Sequence, residues 1–285
     1  MSKLLTLLSF LILTAFTAAI VYGQTSPVEP RSQSVSTTTG LNRSHDFSEI
    51  TRAVVMDSQG QYVGRITDLV INPDGHVSFA VFSPYGMVGG PAGTQKLVAI
   101  PFSALSFKDK HIGLDTTSQK LASAPMFSRN YLMARSWAED SDRYFGIEPS
   151  WREGQASKAQ TASEMPMTKG WSRPYEFSEL SGTPVKNRQG EDLGKIDDFI
   201  FNNEGRISFV VVGYGGFLGI GQKLVAVPVN SLSYAKEPNH FVLNTTKEKI
   251  ESAPFFSKKS LDDPKFAKDV YRYFGQQSYW TTEEK

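Results

Sequence analysis

The chain contains no cysteine among its 285 residues. This absence excludes disulfide bonds, thiolate catalysis, iron–sulfur clusters, cysteine-based zinc sites and the lipid attachment of a bacterial lipoprotein. An excess of charge is also missing, because 30 Lys and Arg stand against 29 Asp and Glu and leave a formal charge of +1. A chain so close to neutral lacks the bulk attraction that draws proteins to nucleic acids and anionic membranes. The sequence therefore predicts no nucleic-acid partner.

Histidine is scarce as well, with four in the chain, and no Gly-x-Ser-x-Gly segment is present. Hydrolytic triads need a base beside the nucleophile, and that base is usually a histidine. His111 and His240 stand at matching strand starts in two related segments, which is typical of structural residues. We therefore predict no catalytic residue, no metal site and no cofactor.

The N-terminus has the pattern of an export signal. Lys3 precedes an apolar run from Leu4 to Tyr22, and Val21 and Gly23 supply small residues before a cut at Gln24. These features predict that residues 1–23 form a secretory signal peptide. The run also approaches the roughly 20 residues that span a bilayer, so an uncleaved inner-membrane anchor is the alternative. Both alternatives predict an extracytoplasmic protein, most simply a periplasmic one.

The rest of the chain repeats itself. Asp46 to Ile50 returns as Glu176 to Leu180, an offset of 130, and 14 of the 37 pairs between 46–82 and 176–212 are identical. This spacing indicates a tandem duplication of domain-sized modules. The predicted segments are a disordered tether (24–44), a first module (45–149), a linker (150–173), a second module (174–277) and a tail (278–285).

Each module combines short strands with a helical end. Strands are indicated by two segments in which apolar residues alternate with polar ones or follow each other directly. These segments, Tyr62 to Ile71 and Val77 to Phe82, are bounded by turns that contain Asn and Gly. After Pro125 the aromatic residues fall at helical spacing instead. The predicted fold is mostly β with α appendices: two tandem small β-barrels, each followed by a helical segment that covers it.

Four motifs recur in the same order in both modules. They are Phe-Ser-Glu-Ile/Leu, Gly-x-x-x-Gly-Arg/Lys-Ile-x-Asp, Gly-x-Val/Ile-Ser-Phe and Lys-Leu-Val-Ala-Ile/Val-Pro. Over 46–121 and 176–250 this order resembles the PRC-barrel domain. The resemblance implies a small β-barrel that serves as a docking module without catalytic residues of its own, as in the H subunit of the photosynthetic reaction centre and in a ribosome maturation factor. The Ala-Pro-x-Phe-Ser…Tyr-Phe-Gly segments that follow resemble the extension of exported bacterial members.

Apolar residues among glycines at two loop tips are the predicted partner-binding residues. Such side chains are costly to leave in water and often mark contacts. The alternative is that they fold back and cap the end of each barrel. The residues concerned are Tyr85, Met87, Tyr214, Phe217, Leu218 and Ile220.

Asp68 and Asp198 occupy equivalent positions and form the predicted polar site. Two carboxylates can act as acid and base, but these two belong to different modules. The structural interpretation is that each one caps or pairs at a strand end, with Arg65 or Lys195 as a nearby partner.

These observations together predict a non-enzymatic, extracytoplasmic docking module that presents two similar β-barrel surfaces to a protein partner in the cell envelope. Its membrane contact would be limited to the N-terminal segment. The alternative is a membrane-anchored scaffold subunit, loosely like the reaction-centre H subunit. A metal-dependent or hydrolytic enzyme is a third possibility that no feature of the sequence favours.

Overall fold

The two halves of the chain fold into the same series of elements. The computed structural model describes residues 44–87, 95–108, 110–148, 170–216 and 221–277. The first half contains β1 (His45–Asp46), α1 (Phe47–Arg52), β2 (Val55–Met56), β3 (Tyr62–Ile71), β4 (Val77–Pro84), β5 (Val98–Pro101), β6 (Leu105–Phe107), β7 (Ile112–Leu114), α2 (Ser118–Ser123) and α3 (Arg135–Phe145). The second half contains β8 (Tyr175–Glu176), α4 (Phe177–Leu180), β9 (Pro184–Lys186), β10 (Asp192–Phe201), β11 (Ile207–Tyr214), β12 (Lys223–Pro228), β13 (Leu232–Ala235), β14 (His240–Leu243), α5 (Lys247–Glu251) and α6 (Pro264–Phe274).

Each half builds one curled sheet. The strand orders are β5-β4-β3-β2-β7-β6 in the first half and β12-β11-β10-β9-β14-β13 in the second. Neighbouring strands run antiparallel except β2 with β7 and β9 with β14, which are parallel. The predicted fold, mostly β with two tandem barrels and helical appendices, is confirmed.

One hydrophobic cluster, which we call the main core, contains residues from both halves. Its largest fully buried members are Ile50, Ile66, Leu69, Ile71, Phe82, Ile100, Leu114, Phe199, Phe201 and Phe241. The described residues all belong to one compact unit. The modules that the sequence places one after the other therefore share their interior.

The central strands are buried on both faces, which explains their nearly continuous apolar sequence. In β4, Ala80 and Phe82 belong to the main core. Phe79 and Val81, which alternate with them, pack instead with Phe127 and neighbouring residues around α3. The helical appendix of the first half thus covers the outer face of its sheet. In the second half α6 covers the outer face in the same way.

Local sequence explains where these helices begin and end. Pro264 is the first residue of α6, where proline is tolerated because its missing N–H would have no partner within the helix. Asp263 accepts a hydrogen bond from the Lys265 backbone N–H at 2.9 Å. The α3 and α6 helices end at Gly146 and Gly275, whose φ angles are +76° and +67°. This left-handed conformation is the usual helix stop of glycine.

The first strand of each half joins the sheet of the other half. Strand β1 pairs with the C-terminal part of β10, and β8 pairs with the corresponding part of β3. The β3–β4 and β10–β11 turns also meet: the Val77 N–H donates to the Gly205 carbonyl at 2.8 Å, and the Ile207 N–H donates to the Gly75 carbonyl at 3.2 Å. We call β1 and β8 the exchanged strands.

The longest helices of the described ranges, α3 and α6, have 11 residues each. Among the residues that the structure describes, no helix has both the length and the apolar character needed to cross a bilayer. The predicted leader (1–23), all but the last residue of the tether (24–44) and the tail (278–285) lie outside the described residues, as does most of the linker (150–173).

Candidate functional site

The structure separates the predicted loop-tip residues into two groups. Tyr85 is 70% exposed and lies beside Tyr62, with ring centroids 5.4 Å apart. Met87 and Tyr214 are half-buried and pack against the main core, and the Tyr214 hydroxyl donates to the Glu251 carbonyl at 3.1 Å. These two adopt the folded-back arrangement. The remaining members lie outside the described residues: Phe217, Leu218 and Ile220.

The predicted polar residues owe their orientation to a bulge. Ile66 belongs to the main core, and strict alternation would place Asp68 on that same inner face. The register with β4 skips Thr67, however, and this shift turns Asp68 to the outer face of the sheet. The register of β10 shifts in the same way at Asp197, just before Asp198.

On the outer face, each carboxylate holds the start of a helix from the other half. Asp198 accepts the backbone N–H groups of Phe47 and Ser48 at 3.0 and 3.3 Å. Asp68 accepts the backbone N–H of Ser178 at 3.2 Å. Free N–H groups and the positive end of a helix dipole both favour a carboxylate there. These contacts, rather than pairing with the neighbouring strand cations, are the role that the structure gives to both aspartates.

A second carboxylate and a cation complete each cluster. Arg129 lies between Asp68 and Glu176, with its Nη2 3.4 Å from one carboxylate and its Nε 2.5 Å from the other. In the other cluster the Lys258 Nζ lies 2.7 Å from Asp46. Arg129 and Lys258 are equivalent positions of the two halves. The structure thus contains two related clusters, each built from both modules.

Burial and like charge raise the pKa of carboxyls in both clusters, and burial also raises the pKa of Asp68. Burial, with repulsion from Asp68, raises the pKa of Glu176 to about 7. Burial, with repulsion from Asp46, raises the pKa of Asp198 to about 6. Burial alone would also raise the pKa of Asp46, but the hydrogen bond from Lys258 and other donors lower it overall.

The chemistry of both clusters is that of a structural joint. Their carboxylates contact backbone N–H groups and a cation. Each cluster also contains one serine hydroxyl: Ser48 donates to Asp46 at 2.6 Å, and Ser178 accepts from Arg129 at 3.3 Å. Across the described ranges, no three His, Asp or Glu side chains come together in a group that could hold a metal ion.

Sequence reasoning missed an apolar surface on the helical appendix of the first half. Two clefts of about 250 and 380 Å³ lie beside Trp137, which lines both. Their rims carry Met126, Tyr131 and Met133, which are 44%, 57% and 70% exposed. The buried Trp137 indole N–H has no hydrogen-bond partner within the described structure. We call these four residues the Trp137 surface.

The sequence contains one indication of this surface, namely a difference between the residues of the two modules. At the positions of Tyr131 and Met133 the second module has Ser260 and Asp262, although the two modules contain the same series of elements. The spacing of the aromatic residues in this region is helical, and helical spacing alone does not separate a core face from an exposed one.

Comparison with known proteins agrees with this architecture. The family model of the PRC-barrel domain matches residues 43–121 and 174–250, which correspond to the two curled sheets. No curated protein matches the chain. Domains of this family are non-catalytic and suggest a protein-interaction module. The chain therefore belongs to the PRC-barrel domain family, of which it contains two tandem copies.

Proposed function

We propose that the protein is a non-enzymatic docking protein of the cell envelope, and that the Trp137 surface is its principal contact site. The family supports an interaction role in general. The predicted export signal supports the compartment, and the fold supplies a rigid base for the surface.

The observation that carries the proposal is the set of exposed apolar residues around two clefts. Tyr131 and Met133 present large side chains to water, which is costly unless a partner covers them. Trp137 lines both clefts and gives a docked segment an aromatic side chain to pack against. Aromatic and Met anchors beside a cleft are typical of interface hot spots.

The second module supports a weaker, related contact. Phe255 is 63% exposed and occupies the position of Met126 in the other half. Tyr85, at a loop tip, is a further exposed aromatic residue. Two or more modest contacts on one rigid chain reinforce each other through effective concentration.

The contact can be tested by replacing Met133 with a photoreactive phenylalanine analogue in intact cells. We expect a discrete crosslinked species, and we expect it to disappear when Tyr131→Ser is added. This substitution introduces the residue that the second module has at that position, so the fold should tolerate it. The same analogue at Gln189 is the matched control for an exposed position outside the proposed contacts. Equal crosslinking from both positions, insensitive to Tyr131→Ser, would refute the contact.

The compartment requires a separate experiment. If the leader is cleaved, the mature protein begins at Gln24 and is released with the soluble envelope contents. If it remains as an anchor, the protein resists alkaline extraction, as expected of the membrane-anchored scaffold. Recovery of the uncleaved chain in the cytoplasm would refute both versions of the proposal.

A further inference from the structure

Two members of the Trp137 surface are methionines that are exposed to solvent. Met133 is 70% exposed and Met126 is 44% exposed. Met126 lines the smaller cleft with Tyr131 and Trp137, and Met133 lines the larger cleft with Trp137. A thioether that is open to solvent is susceptible to oxidation, and burial protects it. The surface proposed for docking is therefore also one that a dissolved oxidant can reach.

The other methionines of the described residues are better protected. Met56 lies in β2 and is half-buried, and Met87 packs against the main core. Three further methionines lie outside the described residues: Met1, Met165 and Met167. Because the chain has no cysteine, methionine supplies all of its sulfur atoms. Within the described ranges we therefore expect oxidation at sulfur to begin at Met133 and Met126.

The second module shows that the fold does not require methionine at these two positions. The residues equivalent to Met126 and Met133 are Phe255 and Asp262, at an offset of 129. Phenylalanine supplies an apolar side chain without an oxidisable sulfur, so an apolar contact by itself does not call for a thioether. The first module has methionine at both positions, and this choice adds oxidisable sulfur to a surface that the fold leaves free to vary.

We propose that Met133 and Met126 are sites of reversible sulfoxidation, and that this modification weakens docking at the Trp137 surface. The inference rests on the proposed function, because it concerns regulation of the same surface. A methionine sulfoxide is polar, whereas the docked partner requires an apolar side chain at that place. Both side chains are exposed, so the change acts on the contact and leaves the folded core intact.

The oxidant is a peroxide, for which hydrogen peroxide is the simplest case. The O–O bond of hydrogen peroxide breaks, one oxygen forms an S–O bond, and the other leaves as water. The sulfur is oxidised by two electrons and the peroxide is reduced by two. The reverse step uses two thiols, which become a disulfide while the sulfoxide oxygen leaves as water. Because this chain has no cysteine, a separate reductase must supply those thiols.

The test uses the purified full-length chain with the photoreactive analogue at Ser136, an exposed residue of the smaller cleft, so that both methionines remain. The protein is treated with hydrogen peroxide, the peroxide is removed, and the protein is added to an extract of the producing cells. We expect peptide mass spectrometry to detect sulfoxide at Met133 and Met126 before the half-buried methionines. The crosslinked yield should fall at least about fivefold, and methionine sulfoxide reductase with dithiothreitol should restore it. Thermal unfolding should be unchanged.

Two double variants locate the effect. Met126→Leu with Met133→Leu keeps apolar side chains of similar volume that contain no sulfur. The matched control, Met56→Leu with Met87→Leu, leaves the two surface methionines in place. For each variant the yield after peroxide is divided by the yield of the same variant without peroxide. We expect this ratio to approach one in the first variant and to remain low in the control.

The outcomes separate this proposal from the docking function. If the untreated protein gives no crosslinked species, the docking function fails and the modification proposal fails with it. If the untreated protein crosslinks and peroxide leaves the yield unchanged, the modification proposal alone is overturned. It is also overturned if the half-buried methionines are oxidised first, or if both double variants lose the response to peroxide equally.

Discussion

The rings of Phe47 and Phe177 stack on each other, with centroids 3.7 Å apart and planes inclined by 20°. These residues are equivalent positions of the two halves, 130 residues apart. A residue that contacts its own counterpart lies near a twofold axis. The exchanged strands, the paired turns and the two carboxylate clusters repeat in the same reciprocal way around it. The chain thus contains, within itself, the arrangement of a symmetric dimer.

Phe177→Ala should destabilise the whole protein rather than one module. Phe177 is 6% exposed and contacts Phe47 from the first half and Phe199 from the second. Removing a buried aromatic ring costs about 3 kcal/mol of unfolding free energy, which urea denaturation would measure. Phe255→Ala, at an exposed position, should change it by less than about 0.5 kcal/mol. Separate unfolding transitions for the two halves of the wild-type protein would contradict this prediction.

Asp198→Ala should weaken the joint through the start of α1. The substitution removes the acceptor for the Phe47 and Ser48 N–H groups, and losing such a cap costs about 1–2 kcal/mol. Asp198→Asn keeps a side-chain carbonyl and should cost less. The neighbouring Asp197→Ala is the matched control, because Asp197 is exposed. Equal effects of Asp197→Ala and Asp198→Ala on chemical denaturation would refute this assignment.

The unfolding free energy should decrease as the pH rises from about 4 to about 7, because the unfolded carboxyls have pKa values near 4. In the folded protein the pKa values of Glu176 and Asp198 are about 7 and about 6. Between about pH 4 and these values, the carboxyls are ionised in the unfolded chain but still protonated in the folded protein. Raising the pH through this range therefore favours the unfolded chain and lowers the unfolding free energy. Asp142, whose pKa is also raised to about 7 by burial and by Glu139, acts in the same direction.

Denaturation curves at several pH values would measure this slope. Glu176→Gln with Asp198→Asn should flatten it, and adding Asp142→Asn should flatten it further. Below about pH 4 the trend should reverse in part, because Asp46 has a lowered pKa and loses its contact with Lys258 on protonation. An unchanged slope in the double variant would show that other groups control the pH response.

Residues 174–277 expressed alone should form a homodimer. In the full chain β10 pairs with β1 of the first half, and in the isolated fragment β8 of a second copy can occupy that edge. Sedimentation analysis would give the mass. Adding residues 44–148 should convert the homodimer into a heterodimer, because that fragment supplies the native partner. A folded, monomeric fragment would show that the exchange is dispensable.

Much of the fold was predictable from the sequence. The strand predicted from Tyr62 to Ile71 is β3, with the same bounds, because its apolar pattern and flanking turns are strong local signals. Pro264 was compatible with either a kink or a helix start, and the structure places it at the start of α6. The duplication also gave the order of elements in the second half from that in the first.

The joint between the halves was not predictable by these means. Exchanged strands of two residues each contain no periodicity to detect. The bulge at Thr67 reverses the face on which Asp68 lies, and a bulge of one residue leaves the sequence pattern almost unchanged. The Trp137 surface depends on which side of a helical segment remains uncovered, and this is decided by tertiary packing.

Because the exchanged strands belong to one polypeptide, the joint forms by an intramolecular reaction. Two separate subunits with the same contacts would come apart on dilution, since their association depends on protein concentration. A single chain with both halves keeps its clusters and clefts assembled at any protein concentration, however few copies are present.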